Sequence, residues 1–307
     1  GMTDLRTEQV ENPGGIDVRQ PLLSWCIESD EQNVIQTAYH ILVASSPELL
    51  EQGKGDIWDS GKIESDASQW ITYQGKTLKC NASYYWKVKI DTNKGATNWS
   101  APAFWTTGLF NEADWQGQWI GLDRAAPGDS ETQWSRLAAR YLRKEFAVKK
   151  SVKRATVHIA GMGLYELFIN GQRIGNQVLA PAPTDYRKTI LYNTYDVTSL
   201  LQTENAIGVT LGNGRFYTMR QNYKPYKIPT FGYPKLRLNL IVEYADGSKE
   251  TIATNTSWKL TTEGPIRSNN EYDGEEYDAR KEIGAGTQTG YDDKNWMPAQ
   301  RVSIPSG

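Results

Sequence analysis

Histidine, cysteine and phenylalanine are scarce in this chain, and no long apolar segment occurs in it. The two histidines, His40 and His158, lie far apart in sequence, so a zinc site is not supported. No loop has the regular oxygen spacing of a calcium site, and no glycine-rich phosphate loop, nucleophile elbow or redox cysteine pair occurs. The sequence therefore predicts no metal and no cofactor.

An excess of charge of either sign is also lacking. The formal net charge is -2, because 34 Lys and Arg nearly balance 36 Asp and Glu. Such a chain has no long-range field that would gather nucleic acid or an anionic membrane surface. Since no run of about 18 or more apolar residues occurs, the sequence predicts neither a nucleic-acid partner nor a membrane span.

The two cysteines, Cys26 and Cys80, fall in segments that we interpret as separate strands. A disulfide would need their Cβ atoms about 4 Å apart, and pairing stays open for an exported protein. We predict two buried thiols.

Tryptophan and tyrosine, by contrast, are abundant, with 11 Trp and 17 Tyr. Such rings serve interfaces and sugar faces, and also sandwich cores in which the N–H or O–H finds a partner. We predict a core position for most of them. The 307 residues suffice for two cores, because single domains most often have about 100–150 residues.

Short segments that alternate between polar and apolar residues predict an antiparallel β-sandwich over residues 1–109. Examples are Leu22–Ile27, Ala38–Ala44 and Tyr84–Ile90. This period of two, with frequent turn residues, is typical of a sandwich of about seven strands. The sequence predicts one helix, over Ser46–Gln52, where a serine cap precedes a proline.

The strand pattern pauses over residues 110–139, which we interpret as a linker and junction segment, and resumes over 140–307. Asn170-Gly171 and Asp246-Gly247 each separate two alternating segments. Both dipeptides predict hairpins, because glycine and asparagine accept the positive φ that tight hairpin turns require. We predict a second β-sandwich of two antiparallel sheets in a jelly-roll arrangement.

Particular motifs add a resemblance to this pattern. Ser83–Val88, followed by Asn98-Trp99-Ser100, resembles the late strands of a fibronectin type III domain. The opening Leu5–Glu8, with Gln36–Tyr39 and Trp58–Lys62, is similar to the first module of bacterial α-L-rhamnosidases. The resemblance implies an all-β fold of two β-sandwich domains, a fibronectin type III-like module followed by a jelly roll.

The second module carries a longer series of motifs that covers nearly all of residues 140–300. In chain order these are Ala160–Glu166, Ile169–Gly171, Thr184–Tyr186, Tyr195–Thr198, Leu211–Gly214, Gly274–Arg280 and Tyr291–Trp296. The series resembles the N-terminal jelly roll of α-L-rhamnosidases. It implies that the acid and base carboxylates lie in an α/α toroid further along the parent chain.

The densest group of carboxylates lies near residue 275. It comprises Glu271, Asp273, Glu275, Glu276 and Asp278, with Arg280 beside them. An inverting glycosidase needs an acid and a base about 6.5–9.5 Å apart, and a nearby arginine could hold one carboxyl ionised. Ordinary pairing on an exposed strand and contact with the catalytic module are the alternatives, and we favour these two. Glu275, Asp278 and Arg280 are kept as carbohydrate-binding candidates.

Two loops supply further candidates. Asp185 could accept sugar hydroxyls while Tyr186 stacks on a ring, or Asp185 could simply cap a turn. The second loop is rich in rings and arginines, and its candidates are Asn213, Arg215, Tyr217, Arg220 and Tyr223. Its arginines could bind the carboxylate of an acidic pectic glycan, or the loop could pack against the missing domain.

These observations predict the non-catalytic N-terminal modules of an α-L-rhamnosidase-like glycoside hydrolase. They would scaffold a missing C-terminal catalytic domain and could bind a plant or bacterial rhamnose-containing glycan weakly. We expect a periplasmic or extracellular protein, with the signal peptide absent from this sequence. A small free-standing glycosidase using Glu271 to Asp278, and a cell-surface module that binds protein through loop 215–226, are the alternatives.

Overall fold

The computed structural model describes residues 1–124, 137–175, 192–212, 233–270, 274–283 and 286–304, with the backbone alone for 268–270 and 274–276. The chain divides into two compact units, Gly1–Asp114 and Trp115–Gly307. Among the described residues, no helix is long and apolar enough to cross a membrane.

The first unit is built almost entirely of strands. These are β1 (Met2–Thr7), β2 (Leu22–Ile27), β3 (Gln36–Ala44), β4 (Trp58–Asp59), β5 (Ile63–Glu64), β6 (Ile71–Thr72), β7 (Ser83–Thr92), β8 (Gly95–Ala96) and β9 (Ala103–Thr106). A short helix, α1 (Pro47–Glu51), and a 3-10 helix, Glu112–Asp114, complete it. A serine caps α1, as predicted, and it is Ser46 rather than Ser45, since Ser46 Oγ accepts the backbone N–H of Leu49 at 3.2 Å.

Two antiparallel sheets enclose the core of the first unit. One has the order β1-β2-β6, and the other the order β4-β3-β7-β8, with β5 on β3 and β9 on β7. Three tryptophans from both sheets, Trp25, Trp86 and Trp105, are fully buried in one apolar cluster. These buried rings agree with the core positions predicted for most of the tryptophans, and they lie on the inward faces because alternate residues of a strand point to opposite sides of its sheet.

The prediction of two buried thiols is wrong. Cys26 is exposed, because its neighbour Trp25 takes the inward direction on β2 and the next residue must face outward. Cys80 is half-buried and lies in a turn before β7 instead of on a strand.

The described part of the second unit is also built of strands. These are β10 (Ile120–Gly121), β11 (Arg140–Ala147), β12 (Val152–Met162), β13 (Leu164–Ile169), β14 (Gln172–Ile174), β15 (Tyr192–Asp196), β16 (Glu204–Gly212), β17 (Lys235–Tyr244), β18 (Lys249–Ala253), β19 (Lys259–Thr261), β20 (Ile266–Asn270), β21 (Gly274–Tyr277), β22 (Met297–Pro298) and β23 (Gln300–Arg301). Two 3-10 helices, Thr198–Leu200 and Ala279–Lys281, accompany them.

These strands form a second sandwich. One sheet has the order β15-β12-β17-β10-β23, with β18 on β17, and the other the order β14-β13-β16-β11-β19-β22. Strands β12 and β17 of the first sheet and β13 and β16 of the second contribute to a single buried cluster that contains Trp258. The chain passes from β12 to β13 through Gly163 alone, at φ +124°, where a Cβ would collide with the Gly212 carbonyl oxygen. Only glycine fits this corner.

The stretch 110–139 is divided between the two units. The 3-10 helix Glu112–Asp114 closes the first, whereas Trp115 packs edge-on against Tyr192 of the second, with ring centroids 5.5 Å apart. In strand β10, Ile120 pairs with both Leu236 and Arg301. Part of the segment interpreted as a linker is therefore an integral strand of the second sandwich.

Both predicted hairpins of the second unit are present. Asn170 and Gly171 join β13 to β14 with φ +49° and +79°, and Gly247 joins β17 to β18 at φ +84°. The Asn170 amide does more than form a turn, because Nδ2 donates to Asn205 Oδ1 at 2.9 Å and Oδ1 accepts the Ala206 N–H at 2.9 Å.

Replacing Asn170 with alanine is expected to lower the free energy of unfolding by about 2 kcal/mol, because the buried Ala206 N–H loses its acceptor and the buried Asn205 Oδ1 loses one of its two donors. Urea unfolding checks the effect. The control is Gly247→Ala, which meets nothing within 4 Å and suffers only its positive φ. If Asn170→Ala left the free energy of unfolding unchanged, these hydrogen bonds would contribute nothing to stability.

Candidate functional site

The site residues predicted from sequence fall largely outside the described part of the chain. Asp185, Tyr186, Asn213, Arg215, Tyr217, Arg220 and Tyr223 all lie there. Glu275 lies on β21, where the backbone alone is described, while Asp278 and Arg280 are fully described. The structure therefore brings two of the predicted side chains together, and the others stay predictions.

Asp278 and Arg280 lie at the end of the β20–β21 hairpin. Glu275 on β21 faces Asn269 on β20, and Tyr277 faces Ile266. Directly after β21, the Asp278 N–H donates to the Pro265 carbonyl at 2.7 Å, which ties the end of the hairpin to the preceding loop. Asp278 then caps the 3-10 helix Ala279–Lys281, since its Oδ1 accepts the Arg280 N–H at 3.1 Å.

The two charged side chains form a bidentate pair. Arg280 Nε donates to Asp278 Oδ1 and Arg280 Nη2 to Asp278 Oδ2, both at 2.9 Å. The Arg280 side chain is 89% exposed and that of Asp278 19%. The arginine, acting first through its hydrogen bond, lowers the pKa of Asp278 to about 2. Asp278 is therefore ionised at neutral pH and only accepts hydrogen bonds.

This arrangement does not supply the acid of a glycosidase. Protonating a leaving group near neutral pH requires a carboxyl whose pKa is raised, and the pKa of Asp278 is lowered. Capping and pairing account for both of its oxygens.

A buried arginine in the same unit was missed by the sequence analysis. Arg143 on β11 is 1% exposed; its guanidinium donates to the carbonyls of Gly286 and Gln288, each at 2.9 Å, and pairs with Asp293. The Tyr291 ring lies 5.4 Å from its central carbon. The partners come from a distant segment, so strand alternation gave no signal of them.

A pocket on the first unit was also missed. It lies on the outer face of the β1-β2-β6 sheet and has a volume of about 250 Å³. Its walls are Asp4, Arg6, Gln9, Ser24, Cys26, Gln69 and Trp70. An exposed ring beside carboxylate, guanidinium and amide groups can combine stacking with hydrogen bonding.

Two family models match the chain, one on each unit. The model described as "Rha78A-like, N-terminal immunoglobulin domain" matches residues 2–111. The model described as "Alpha-L-rhamnosidase N-terminal domain" matches residues 150–307. Together with the two sandwiches, these matches confirm the predicted all-β fold class and the resemblance to the N-terminal modules of α-L-rhamnosidases.

Similar proteins extend well beyond the region that they share with this chain. An alpha-L-rhamnosidase of Formosa agariphila is 39% identical over 312 residues, which cover 95% of this chain and 33% of that protein. An alpha-L-rhamnosidase of Alteromonas sp. is 35% identical, over 93% of this chain and 31% of that protein. The chain thus spans about a third of the length of these relatives.

A solved structure leads to the same family. The alpha-L-rhamnosidase structure from Dictyoglumus thermophilum matches with a TM-score of 0.89 and 40% identity, over 100% of this chain and 34% of that one. The family model described as "Alpha-L-rhamnosidase N-terminal domain" covers more than half of the chain, so this protein belongs to that family.

Proposed function

We propose that this chain is the non-catalytic N-terminal part of an α-L-rhamnosidase and that its two sandwiches support a catalytic portion. The observation that carries the proposal is the extent of the match. Nearly the whole chain aligns with relatives named alpha-L-rhamnosidase, yet it covers only about a third of each. The rest of such a protein is long enough to hold a separate catalytic domain.

The described chemistry agrees with a supporting role. The described member of the predicted carboxylate cluster, Asp278, is held ionised by Arg280 and caps a 3-10 helix. The buried Arg143 and the half-buried Asn170 tie strands and loops of the second sandwich together. A sandwich of this kind suits the positioning of another domain, because its packed strands form a rigid scaffold.

A chimera tests the supporting role. In the Formosa agariphila enzyme, the matched third would be replaced by this chain, and hydrolysis of an aryl α-L-rhamnoside would be measured. We expect the chimera to keep its activity and melting temperature. A control chimera with an unrelated pair of β-sandwiches should lose both. Full activity and unchanged stability of the relative without any N-terminal third would contradict the proposal.

We propose further that the parent protein is exported, that the first unit is of the fibronectin type III kind, and that the glycan partner contains rhamnose. The name of the related enzymes supports the last point. Asp185, Tyr186, Asn213, Arg215, Tyr217, Arg220, Tyr223 and Glu275 stay predictions for contacts with that glycan or with the catalytic portion.

Replacing Asp278 with asparagine is expected to leave this role intact. An exposed pair with an arginine contributes little to stability, so we expect a nearly unchanged melting temperature of the isolated chain and unchanged activity of the chimera. Differential scanning calorimetry and the aryl-rhamnoside assay check both. Loss of chimera activity with an unchanged melting temperature would instead show that Asp278 takes part in catalysis.

A further inference from the structure

Trp70 is exposed to an unusual degree for a large ring. It is 65% exposed, the largest exposed fraction among the large hydrophobic side chains that the structure describes. Other tryptophans of the first unit, such as Trp25, Trp86 and Trp105, are fully buried in the core. Burial in the sandwich therefore does not explain why a tryptophan occupies this position.

The backbone at Trp70 is in a conformation that disfavours tryptophan. Its φ is +57°, the left-handed region that is unfavourable for bulky L-residues. Ile71 pairs with Leu23, and the Ser68 carbonyl accepts the N–H of Trp25 at 3.0 Å. Gln69 and Trp70 therefore face Ser24 alone, which is the arrangement of a β-bulge, where glycine is the favoured left-handed residue.

The bulge directs the Trp70 ring toward the pocket on the outer face of the sheet. On the opposite edge strand, β1 is also irregular between Thr3 and Arg6, and Asp4 there has φ +50°. Two irregular edge strands thus flank the regular strand β2 and line one concave surface. Bulges commonly re-aim side chains next to functional sites, and strained backbone is found at binding sites more often than elsewhere.

The polar groups of the pocket are held in place. Arg6 Nε donates to Asp4 Oδ1 at 2.8 Å, and Cys26 Sγ lies 3.6 Å from Asp4 Oδ2. Gln69, which also lines the pocket, donates its Nε2 to the Trp25 carbonyl at 3.1 Å. Held donors and acceptors lose little freedom when a ligand binds.

The charges of the pocket favour a neutral ligand. Asp4 and Arg6 are the charged residues of the pocket walls and pair with each other at 2.8 Å, so an anion would meet no unpaired cation there. A sugar ring offers an apolar C–H face for stacking and hydroxyls for bidentate hydrogen bonds. Among common neutral ligands, a sugar ring is the one whose two kinds of surface fit this pocket: the C–H face fits the exposed indole, and the hydroxyls fit the carboxylate–guanidinium pair.

We propose that this pocket binds one neutral sugar ring of a glycan, with Trp70 stacking on the ring and the Asp4–Arg6 pair binding its hydroxyls. The proposal rests on the function proposed above, since an α-L-rhamnosidase encounters glycans. It places the sugar on the first unit, whereas the binding candidates predicted from the sequence all belong to the second.

Fluorine NMR of the 307-residue chain labelled with 5-fluorotryptophan tests the proposal. The Trp70 signal is assigned by its loss in Trp70→Gly. Titration with methyl α-L-rhamnoside or methyl β-D-glucoside is expected to shift that signal saturably, with a dissociation constant of the order of millimolar. Sodium galacturonate, the anionic comparison, is expected to shift it more weakly, because Arg6 is already paired with Asp4 and leaves the carboxylate of the ligand without a free cation in the pocket walls.

Trp70→Gly separates a binding role from a structural one. Glycine accepts the positive φ, so we expect a melting temperature that is unchanged or raised, together with sugar binding weakened by about tenfold or more. Trp99→Phe is the matched control. Trp99 is a partly buried ring that packs beside α1 and the sheet containing β3 and β7, and it does not line the pocket. It should leave the Trp70 shift unchanged.

Several results would overturn the proposal. They are the absence of a Trp70 shift with either neutral sugar, equal binding of galacturonate, undiminished sugar binding by Trp70→Gly, and a Trp70→Gly melting temperature lowered by several degrees. A Trp70 shift that depends on protein concentration without sugar would instead identify a second copy of the chain as the occupant. None of these results bears on the chimera experiment, so failure here and failure of the supporting role are distinguishable.

Discussion

Replacing Arg143 with methionine is expected to lower the free energy of unfolding of the second unit by about 2–3 kcal/mol. The arginine is 1% exposed, and its guanidinium joins β11 to the carbonyls of Gly286 and Gln288 and to the Asp293 carboxylate. Methionine fills a similar volume but leaves two carbonyls and a carboxylate without their donor. Gly286 is buried, whereas the Asp293 side chain is 26% exposed and water can still reach it, so the lost bond to the Gly286 carbonyl is the costliest of these losses.

Urea unfolding monitored by tryptophan fluorescence measures this change. Arg173→Met is the matched control, because Arg173 is exposed on β14 and should change stability by less than about 0.5 kcal/mol. Arg143→Lys should fall between the two, since an ammonium group cannot reproduce the planar fork of donors. If Arg143→Met is as stable as the Arg173 control, the segment 286–293 is not held by this arginine.

Acidification from pH 7 to pH 4 is expected to destabilise the second unit by about 3 kcal/mol through His158 alone. This side chain is fully buried on β12, and its Nδ1 lies 3.0 Å from Thr194 Oγ1. Burial, with a smaller contribution from the charge of Arg154, lowers the pKa of His158 from 6.5 to about 4.

The sign follows from which state binds the proton. Below pH 6.5 the unfolded chain protonates His158 while the folded chain keeps it neutral, so the unfolded state gains protons and stability falls. The loss begins near pH 6.5 and is complete near pH 4. Lowered pKa values of carboxyls such as Asp278, about 2, bring their own losses at more acidic pH.

Unfolding free energies of the wild type and of His158→Gln between pH 7 and pH 4 isolate this contribution. Glutamine does not titrate and can still bond to Thr194, so the difference between the two curves should change by about 3 kcal/mol over this interval. Parallel curves would contradict the assignment, since they would mean that His158 titrates alike in both states.

Local patterns in the sequence predicted much of the fold. Alternation gave the bounds of β2 and β13, and the turn dipeptides gave both hairpins of the second unit, because these features depend on neighbours along the chain. Strand β10 was missed because two residues carry no periodicity, and its partners, Leu236 and Arg301, are remote in sequence.

The sites were less accessible to prediction for a related reason. Positive φ at Trp70 and burial of Arg143 both arise from distant contacts, and a tryptophan in a strand pattern is more often a core residue. The exposed Cys26 shows the same effect on a small scale, because the direction of a side chain depends on which neighbour faces the core. The motifs of the family, in contrast, are short patterns of neighbouring residues, and the sequence alone was enough to recognise them.

Turnover of 4-nitrophenyl α-L-rhamnoside by the isolated, folded chain is the most direct test of the central claim, that these two sandwiches support catalysis without performing it. We predict no release of nitrophenol above the rate in buffer, with circular dichroism typical of a β protein. Turnover that is abolished in Glu275→Gln or Asp278→Asn would contradict the claim and assign catalysis to this chain.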